Sequence, residues 1–235
     1  MHKYLFVHIP KTAGVKIRHN IHMNSNYPNA KICVQEEGCD LRFMTDAELQ
    51  DYDIISGHFG YGLRRRVEPT RRCVTVLREP LQRFISTYFY WKTLAGTYLS
   101  QLAHTLSIYE FAASQDSTVV EYVDNAQTWQ MLHDFLMPSR QQFAKCSPAE
   151  IIAGAKRNLR SLDFVGIQED MIGTLAKMKE TFSWEWTDEP GVWINKTPDY
   201  DVAQIDLGRL KEQLGDRLTL DEELYALGTE LYNRR

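Results

Sequence analysis

The sequence predicts an α/β protein in which a mostly parallel central sheet is flanked by helices and carries a helical insertion. Three observations predict this class. Short apolar runs rich in β-branched and aromatic residues recur along the chain, and segments with the apolar spacing of helices follow most of them. One run, residues 73–77, is apolar almost throughout, which is typical of a strand buried on both faces. Neither a repeat nor a linker divides the sequence, so we expect one domain over residues 1–235.

The first predicted unit is a strand, a tight loop and a helix. Residues 4–9 have the composition of a strand, and residues 15–23 are compatible with a helix. The loop between them contains Pro10, Lys11 and Gly14. A strand, a tight loop and a helix start bring backbone N–H groups together around an anion, so we expect an anion-binding loop here.

Two further strands precede the buried run. We expect a short strand over residues 32–34 and another over residues 53–56. Between them, Thr45 and Glu48 form a capping-box pattern that predicts the start of a helical turn. The buried strand over residues 73–77 comes next.

Helices dominate the rest of the chain. Pro80 suits the first position of a helix that follows the buried strand, and residues 98–145 are expected to form the helical insertion. Ser147 and Glu150 predict a further helix start. The last expected elements are a core strand over residues 163–167, a helix over residues 170–182 and a terminal helix capped by Thr219 and Glu222.

Composition excludes several classes of protein. The chain is 43% hydrophobic and 25% charged, with a mean hydropathy of −0.40, which suits a soluble protein with a buried core. Its apolar runs are far shorter than the ~20 residues of a membrane span, and the first strand begins too early for a signal peptide. A net charge of −4 argues against a general nucleic-acid binder. We therefore expect a cytoplasmic protein that binds neither membranes nor nucleic acids.

The four cysteines contain no CxxC pair. They are Cys33, Cys39, Cys73 and Cys146. A Cys33–Cys39 disulfide, or a metal site with nearby histidines, is one interpretation. Reduced thiols in a cytoplasm are the interpretation that we favour, and we expect no metal.

The anion-binding loop is P-loop-like but departs from the standard nucleoside-triphosphate pattern. That pattern is GxxxxGK[ST], in which the lysine reaches the phosphates and the hydroxyl binds magnesium. Here Lys11 precedes Gly14, no GK[ST] occurs in the chain, and Val15 and Lys16 stand where the hydroxyl residue is needed. The sequence therefore favours a nucleotide that reacts without magnesium.

A second anion site is predicted after the buried strand. Arg78 stands at the carboxyl end of that strand, and Arg83 and Ser86 lie three residues apart on the following helix, hence on one face. Arginine suits bidentate phosphate binding, and serine adds a neutral donor. Two phosphate sites at the carboxyl ends of neighbouring parallel strands would hold a nucleotide phosphorylated at both its 5′ and 3′ ends.

The segments HIPKTAG and LREPLQRFISTYFY together resemble the two nucleotide motifs of sulfotransferases that use 3′-phosphoadenosine 5′-phosphosulfate (PAPS). The resemblance is strongest to the heparan-sulfate 2-O/6-O group, sulfotransferase family 2, and its bacterial relatives. It extends over most of the chain, through the segments ISGHFGYGL, DNAQTWQML, DFVGIQEDM and INKTP.

The resemblance implies that the chain binds PAPS and its product 3′-phosphoadenosine 5′-phosphate (PAP), with no metal. The loop matches the 5′-phosphosulfate motif, and the segment after the buried strand matches the 3′-phosphate motif. Members of the family usually carry two hydroxyl residues where this chain has Val15 and Lys16. The residues expected to bind the nucleotide are Lys11, Thr12, Ala13, Gly14, Arg78, Arg83, Ser86 and, in the later loop, Lys196.

Sulfuryl transfer to a hydroxyl needs a base and a cation. His58 is the candidate base, because it follows a strand on the same sheet edge as Lys11 and Arg78, and Gly57 and Gly60 beside it allow close approach. The resemblance also implies a histidine base. Lys11 would stabilise negative charge on the leaving phosphate oxygen.

Structural interpretations compete with these roles. Arg78 could pair with Glu79, Ser86 could be an ordinary helix serine, and His58 could be a structural residue at a strand end. We expect His8 to pack behind the loop rather than to react.

A basic run follows the candidate base. By default we expect it to be a solvated loop, and binding of an anionic acceptor is the alternative. The run consists of Arg64, Arg65, Arg66, Arg71 and Arg72.

Three functions from different classes remain at this point. The leading hypothesis is a PAPS-dependent sulfotransferase acting on a hydroxyl acceptor, with a carbohydrate favoured and tyrosine, lipid and small-metabolite hydroxyls left open. The second is an atypical P-loop kinase, which would need magnesium ligands. The third is a non-catalytic nucleotide-binding module of the same fold.

Overall fold

The computed structural model describes residues 2–22, 29–35, 41, 43–133, 140–185 and 202–234. Within them, five parallel strands form one sheet in the order β2-β3-β1-β4-β5. The predicted α/β class with a parallel sheet flanked by helices is confirmed. The strands are β1 (Tyr4–Val7), β2 (Ile32–Val34), β3 (Ile54–Gly57), β4 (Arg72–Leu77) and β5 (Phe164–Ile167).

Helices connect the strands and form the predicted insertion between β4 and β5. Their bounds are α1 (Gly14–His22), α2 (Asp46–Gln50), α3 (Pro80–Thr93), α4 (Tyr98–Thr105), α5 (Ile108–Ala113), α6 (Ser117–Val123), α7 (Ala126–Gln130), α8 (Pro148–Arg160), α9 (Met171–Phe182), α10 (Leu207–Leu214) and α11 (Thr219–Asn233). The insertion comprises α4 to α7. None of the described helices combines the length and the apolar character that a membrane span requires.

The sheet is buried on both faces. Along β1, Leu5 and Val7 pack into the cluster that contains residues of α8 and α11, whereas Tyr4 and Phe6 pack into the cluster that contains residues of α1 and α9. Successive side chains of a strand point to opposite faces, so both faces need apolar residues. This explains why the strand sequences are almost continuously apolar.

The parallel register brings the candidate residues to one edge of the sheet. Val7 of β1 pairs with Gly57 of β3, and the residues that follow β3, β1 and β4 in the sheet order are His58, His8 and Arg78. Because all strands run in the same direction, the residues after them emerge at the carboxyl edge. This is the edge at which open parallel sheets bind ligands.

Two of the predicted helix starts have the expected capping boxes. Thr45 accepts from the amide of Glu48 while the Glu48 carboxylate accepts from Thr45, and Ser147 and Glu150 form the same reciprocal pair. Each box satisfies amides that have no partner within the helix.

The predicted cap of the terminal helix is wrong. Thr219 already has helical backbone angles, with φ −58° and ψ −44°, because a 3₁₀ turn over Gly215–Leu218 leads directly into α11. The cap comes instead from Asn125, whose Oδ1 accepts from the amides of Leu220 (2.8 Å) and Asp221 (3.1 Å).

The expectation of reduced cysteines is wrong for Cys33, which is disulfide-bonded. Cys73 is free and buried, and Cys146 is free and exposed. Burial raises the pKa of the Cys73 thiol to about 11, so it stays protonated at neutral pH. Cys39 lies outside the described residues.

The basic run is not a uniformly solvated loop. Arg71 is only 1% exposed, and its guanidinium donates to the carbonyl oxygens of Tyr4 (3.1 Å), Tyr52 (2.9 Å) and Asp53 (3.3 Å). Arg71 therefore joins the segments that begin β1 and β3. Arg71 and Arg72 stand at the amino edge of the sheet, opposite the candidate base, and this position gives no support to binding of an anionic acceptor by these two residues.

Candidate active site

The loop between β1 and α1 has an unusual backbone. Lys11 and Ala13 adopt left-handed conformations, with φ of 70° and 62°. Such conformations are unfavourable for residues with a Cβ atom, and they turn successive amides toward one side of a loop. The amides of residues 12–15 donate to no main-chain carbonyl of the described residues. The loop and the start of α1 therefore present free N–H groups to an anion.

Thr12 and Gly14 give this loop its shape. Thr12 is fully buried, and its Oγ1 donates to the carbonyl oxygen of Ile9 at 2.8 Å, so the hydroxyl closes the loop and only the amide remains for a ligand. A Cβ atom at Gly14 would lie 1.9 Å from Cδ2 of His8. Gly14 is therefore required because the His8 imidazole packs against the first residue of α1.

The Lys11 side chain extends from the loop to α3. Its Nζ is 3.9 Å from the ring centroid of Tyr90 on α3. Burial, and then the positive charge of Arg78, lower the pKa of Lys11 from 10.5 to about 8. An ammonium held in this way is poorly solvated and lies beside a second cation, so an anion between them would stabilise both charges.

Arg78 connects the second anion site to the loop. Its Nη1 donates to the carbonyl oxygen of Lys11 at 3.1 Å, and its buried Nε has no hydrogen-bond partner among the described residues. Glu79 is not its partner: the Glu79 carboxylate caps α3 by accepting from the amides of Leu81 and Gln82. Arg78 therefore keeps a buried donor that an anion could satisfy.

The two other residues expected on α3 differ in their surroundings. Ser86 is 4% exposed and lies one turn after Arg83 on α3. Arg83 is 1% exposed and donates through Nη2 to the carbonyl oxygen of Tyr122 at 2.9 Å, and burial lowers its pKa while Asp221 opposes that shift. Arg83 is thus held within the helical layer, and its contact with a nucleotide stays a prediction. Lys196 lies outside the described residues.

Two histidines meet at the carboxyl edge. The ring centroids of His58 and His8 are 4.4 Å apart, and the His8 ring stacks on Phe6 at 5.5 Å. His8 is 5% exposed and packs against Gly14, whereas His58 is more accessible. Of the two, His58 is better placed to reach a substrate.

Sequence reasoning missed two glutamines on α7. Gln127 bonds to the main chain of Arg78, with its Oε1 accepting from the amide (3.0 Å) and its Nε2 donating to the carbonyl (2.8 Å). Gln130 donates through Nε2 to the carbonyl oxygen of Phe59 at 2.7 Å. The signal that could have found them is their position in DNAQTWQML, one of the segments on which the family resemblance rests.

The carboxyl edge contains a cationic loop, an arginine with an unused donor and a histidine. The loop and the arginine suit the binding of two anionic groups, and the histidine suits the removal of a proton. Within the described residues, no group of three His, Cys, Asp or Glu side chains could hold a metal ion.

Comparison with known proteins gives little further information. No family model and no curated protein matches the chain. Among solved structures, mouse sulfotransferase SULT7A1 complexed with PAP is similar, with 10% sequence identity and a TM-score of 0.38. The alignment covers 91% of this chain and 63% of that structure's chain.

Proposed function

We propose that this protein transfers a sulfuryl group from PAPS to a hydroxyl acceptor. The observation that carries the proposal is the row at the carboxyl edge: the amides after Lys11, the unused Nε donor of Arg78 and the His58 imidazole follow three adjacent strands. The paired sequence motifs that resemble PAPS-dependent sulfotransferases support the same function independently of the geometry.

The residues present fit a nucleotide with two separate anionic groups. In this proposal the loop amides and Lys11 hold the 5′-phosphosulfate, and Arg78 with Ser86 holds the 3′-phosphate. When bound, PAPS supplies a sulfuryl group on a good leaving group. The free amides of the loop and the buried Nε of Arg78 are donors that this ligand would satisfy, and the Ser86 hydroxyl would add a neutral donor.

The chemical roles follow from the positions of two residues. His58 accepts the proton of the acceptor hydroxyl, which makes the oxygen a better nucleophile. Lys11 neutralises negative charge that develops on the phosphate oxygen as the S–O bond breaks. Since Lys11 already lies in the loop, it contributes to nucleotide binding and to the transfer step.

The proposal includes a carbohydrate-like acceptor and a cytoplasmic location, which rest on the sequence rather than on the site geometry. The disulfide at Cys33 is unusual for a cytoplasmic protein and removes the support that reduced cysteines gave to this location. The kinase hypothesis receives no support from this site, because Val15 and Lys16 offer no hydroxyl for magnesium. A non-catalytic module would bind PAP but would transfer nothing, so turnover separates it from an enzyme.

The test is single-turnover transfer from labelled PAPS to a panel of hydroxyl compounds, with PAP affinity measured for each variant. General-base catalysis contributes about 10²–10⁴-fold, so His58→Ala should slow transfer by that factor and leave PAP affinity nearly unchanged. Lys11→Ala should reduce both transfer and affinity. His104→Ala, which changes an exposed histidine on α4, is the matched control and should alter neither.

Two results would contradict these roles. If His58→Ala transfers within about threefold of wild type, the base is another group, and His8 and His133 are the next to test. If His58→Ala loses PAP binding instead, the role of His58 is structural.

A further inference from the structure

We propose that Gln127 and Gln130 are positioning residues that fix the spacing between the phosphate-binding arginine and the histidine edge. This inference rests on the proposed function, because it assigns to α7 the task of holding the strand ends that carry the site. Neither residue needs to touch the nucleotide or the acceptor.

Gln127 holds the main chain of Arg78 at two points. Its side-chain amide accepts from the Arg78 N–H at 3.0 Å and donates to the Arg78 carbonyl at 2.8 Å, and Gln127 is 0% exposed. Arg78 follows the last residue of β4, so the strand ladder no longer fixes its main chain. The Arg78 guanidinium in turn donates to the carbonyl of Lys11. The placement of the Arg78 guanidinium therefore depends on Gln127.

Gln130 holds the neighbouring strand ends. It is 7% exposed, and its Nε2 donates to the carbonyl oxygens of Phe59 at 2.7 Å and His8 at 3.4 Å. These carbonyls belong to the segments that follow β3 and β1. Since Phe59 is next to His58, Gln130 joins the two segments that carry the paired imidazoles.

The short helix that carries both glutamines is itself anchored. A helix of 5 residues is too short to be stable alone. Asp221 on α11 accepts from the amides of Gln127 (3.1 Å) and Thr128 (2.7 Å), and Asn125 before α7 accepts from two amides of α11. These reciprocal caps fix α7 against α11, so its two glutamines can act as a rigid support.

The test of Gln127 is a double-mutant cycle on PAP affinity, measured by titration calorimetry. Gln127→Met should weaken PAP binding by about tenfold and leave the affinity for adenosine 5′-phosphosulfate nearly unchanged. In an Arg78→Ala background the same change should have almost no further effect, because Gln127 acts through Arg78. If Gln127→Met fails to fold, Gln127→Asn takes its place, since it keeps the amide but is one methylene shorter.

The test of Gln130 uses a different measurement. Gln130→Met should leave PAP affinity within about twofold, slow transfer by about tenfold or more, and shift the imidazole NMR signals of His8 and His58. Gln50→Met is the matched control, because Gln50 makes the same kind of paired bonds, to Arg66 and Glu68, among residues that lie outside the site. Gln50→Met should alter the stability of the protein without altering PAP affinity or the rate of transfer.

The outcomes separate this inference from the proposed function. If Gln127→Met weakens PAP binding equally with and without Arg78, or if Gln50→Met matches its effects, the positioning role is overturned. The NMR signal of the Arg78 Nε–H reports the environment of this guanidinium in the absence of nucleotide. It should shift in Gln127→Met, because Gln127 holds the Arg78 main chain. If wild type binds no PAP while Gln127→Met still shifts this signal, the proposed function is overturned and the positioning role is supported.

Discussion

Lys11 combines backbone strain with unfavourable electrostatics in the free protein. Its φ is 70°, its Nζ lies 3.9 Å from the Tyr90 ring centroid, and burial beside Arg78 lowers its pKa to about 8. Strain of this kind persists at functional sites when the surrounding structure fixes it. An anion bound in the loop would raise the pKa of Lys11 again, because it stabilises the charged form of the side chain.

PAP binding should therefore be coupled to proton uptake by Lys11 at alkaline pH. With a free-state pKa of about 8, Lys11 is mostly neutral at about pH 8.5, and a bound phosphate raises that pKa, so binding should take up roughly 0.7 of a proton. At about pH 6.5 Lys11 is already charged and uptake through it should vanish. Titration calorimetry in two buffers of different ionisation enthalpy measures the uptake.

Two variants identify the group responsible for this uptake. Lys11→Met should abolish the extra uptake at about pH 8.5. Lys92→Met should retain it, because Lys92 is an exposed lysine beside a different tyrosine, Tyr88, of the same helix. Equal uptake by wild type and Lys11→Met would show that another group titrates.

The sequence indicated the position of some site residues but not the direction of every side chain. Lys11, His58 and Arg78 could be placed at one edge because each follows a predicted strand, and the register of parallel strands brings them together. Helical spacing correctly put Arg83 and Ser86 three residues apart on one helix. It could not show that Arg83 points into the helical layer, because that depends on α6 and α11, which are distant in sequence.

Local sequence patterns predict the helix starts correctly, whereas caps supplied by residues distant in sequence leave no local pattern. The capping boxes at Thr45 and Ser147 each involve residues three positions apart, so the sequence contains the whole pattern. The cap of α11 comes from Asn125, 95 residues before Leu220, and no local pattern reveals it. The α7 glutamines were missed for the same reason.

The reciprocal caps of α7 and α11 should contribute measurably to stability. Asn125 has a φ of 46°, so Asn125→Gly keeps the backbone conformation accessible and removes the side-chain hydrogen bonds, which should cost about 1–3 kcal/mol. Asn125→Ala should lose about 1–2 kcal/mol more, because alanine resists the left-handed conformation. Urea unfolding of the three proteins measures both steps. An unchanged free energy of unfolding in Asn125→Gly would show that the Asn125 side chain does not stabilise α11.

The parallel sheet has structural residues at its amino edge and the candidate site at its carboxyl edge. The amino edge is held by the buried Arg71, which donates to carbonyls that begin β1 and β3, while the carboxyl edge carries the candidate site. The sequence predicted all five strands but did not determine their order β2-β3-β1-β4-β5, because order depends on pairing between distant segments. That order is what places His58, His8 and Arg78 side by side.

We propose above all that the loop and Arg78 hold the two phosphates of PAP without a metal. The most direct measurement is nucleotide affinity by titration calorimetry, in wild type and Arg78→Ala, with a chelator present for the metal-free nucleotides. We expect PAP to bind wild type more tightly than Mg-ATP does, and Arg78→Ala to weaken PAP by about ten- to hundredfold while barely changing adenosine 5′-phosphosulfate. Equal losses for both nucleotides, or tighter binding of Mg-ATP, would contradict the claim.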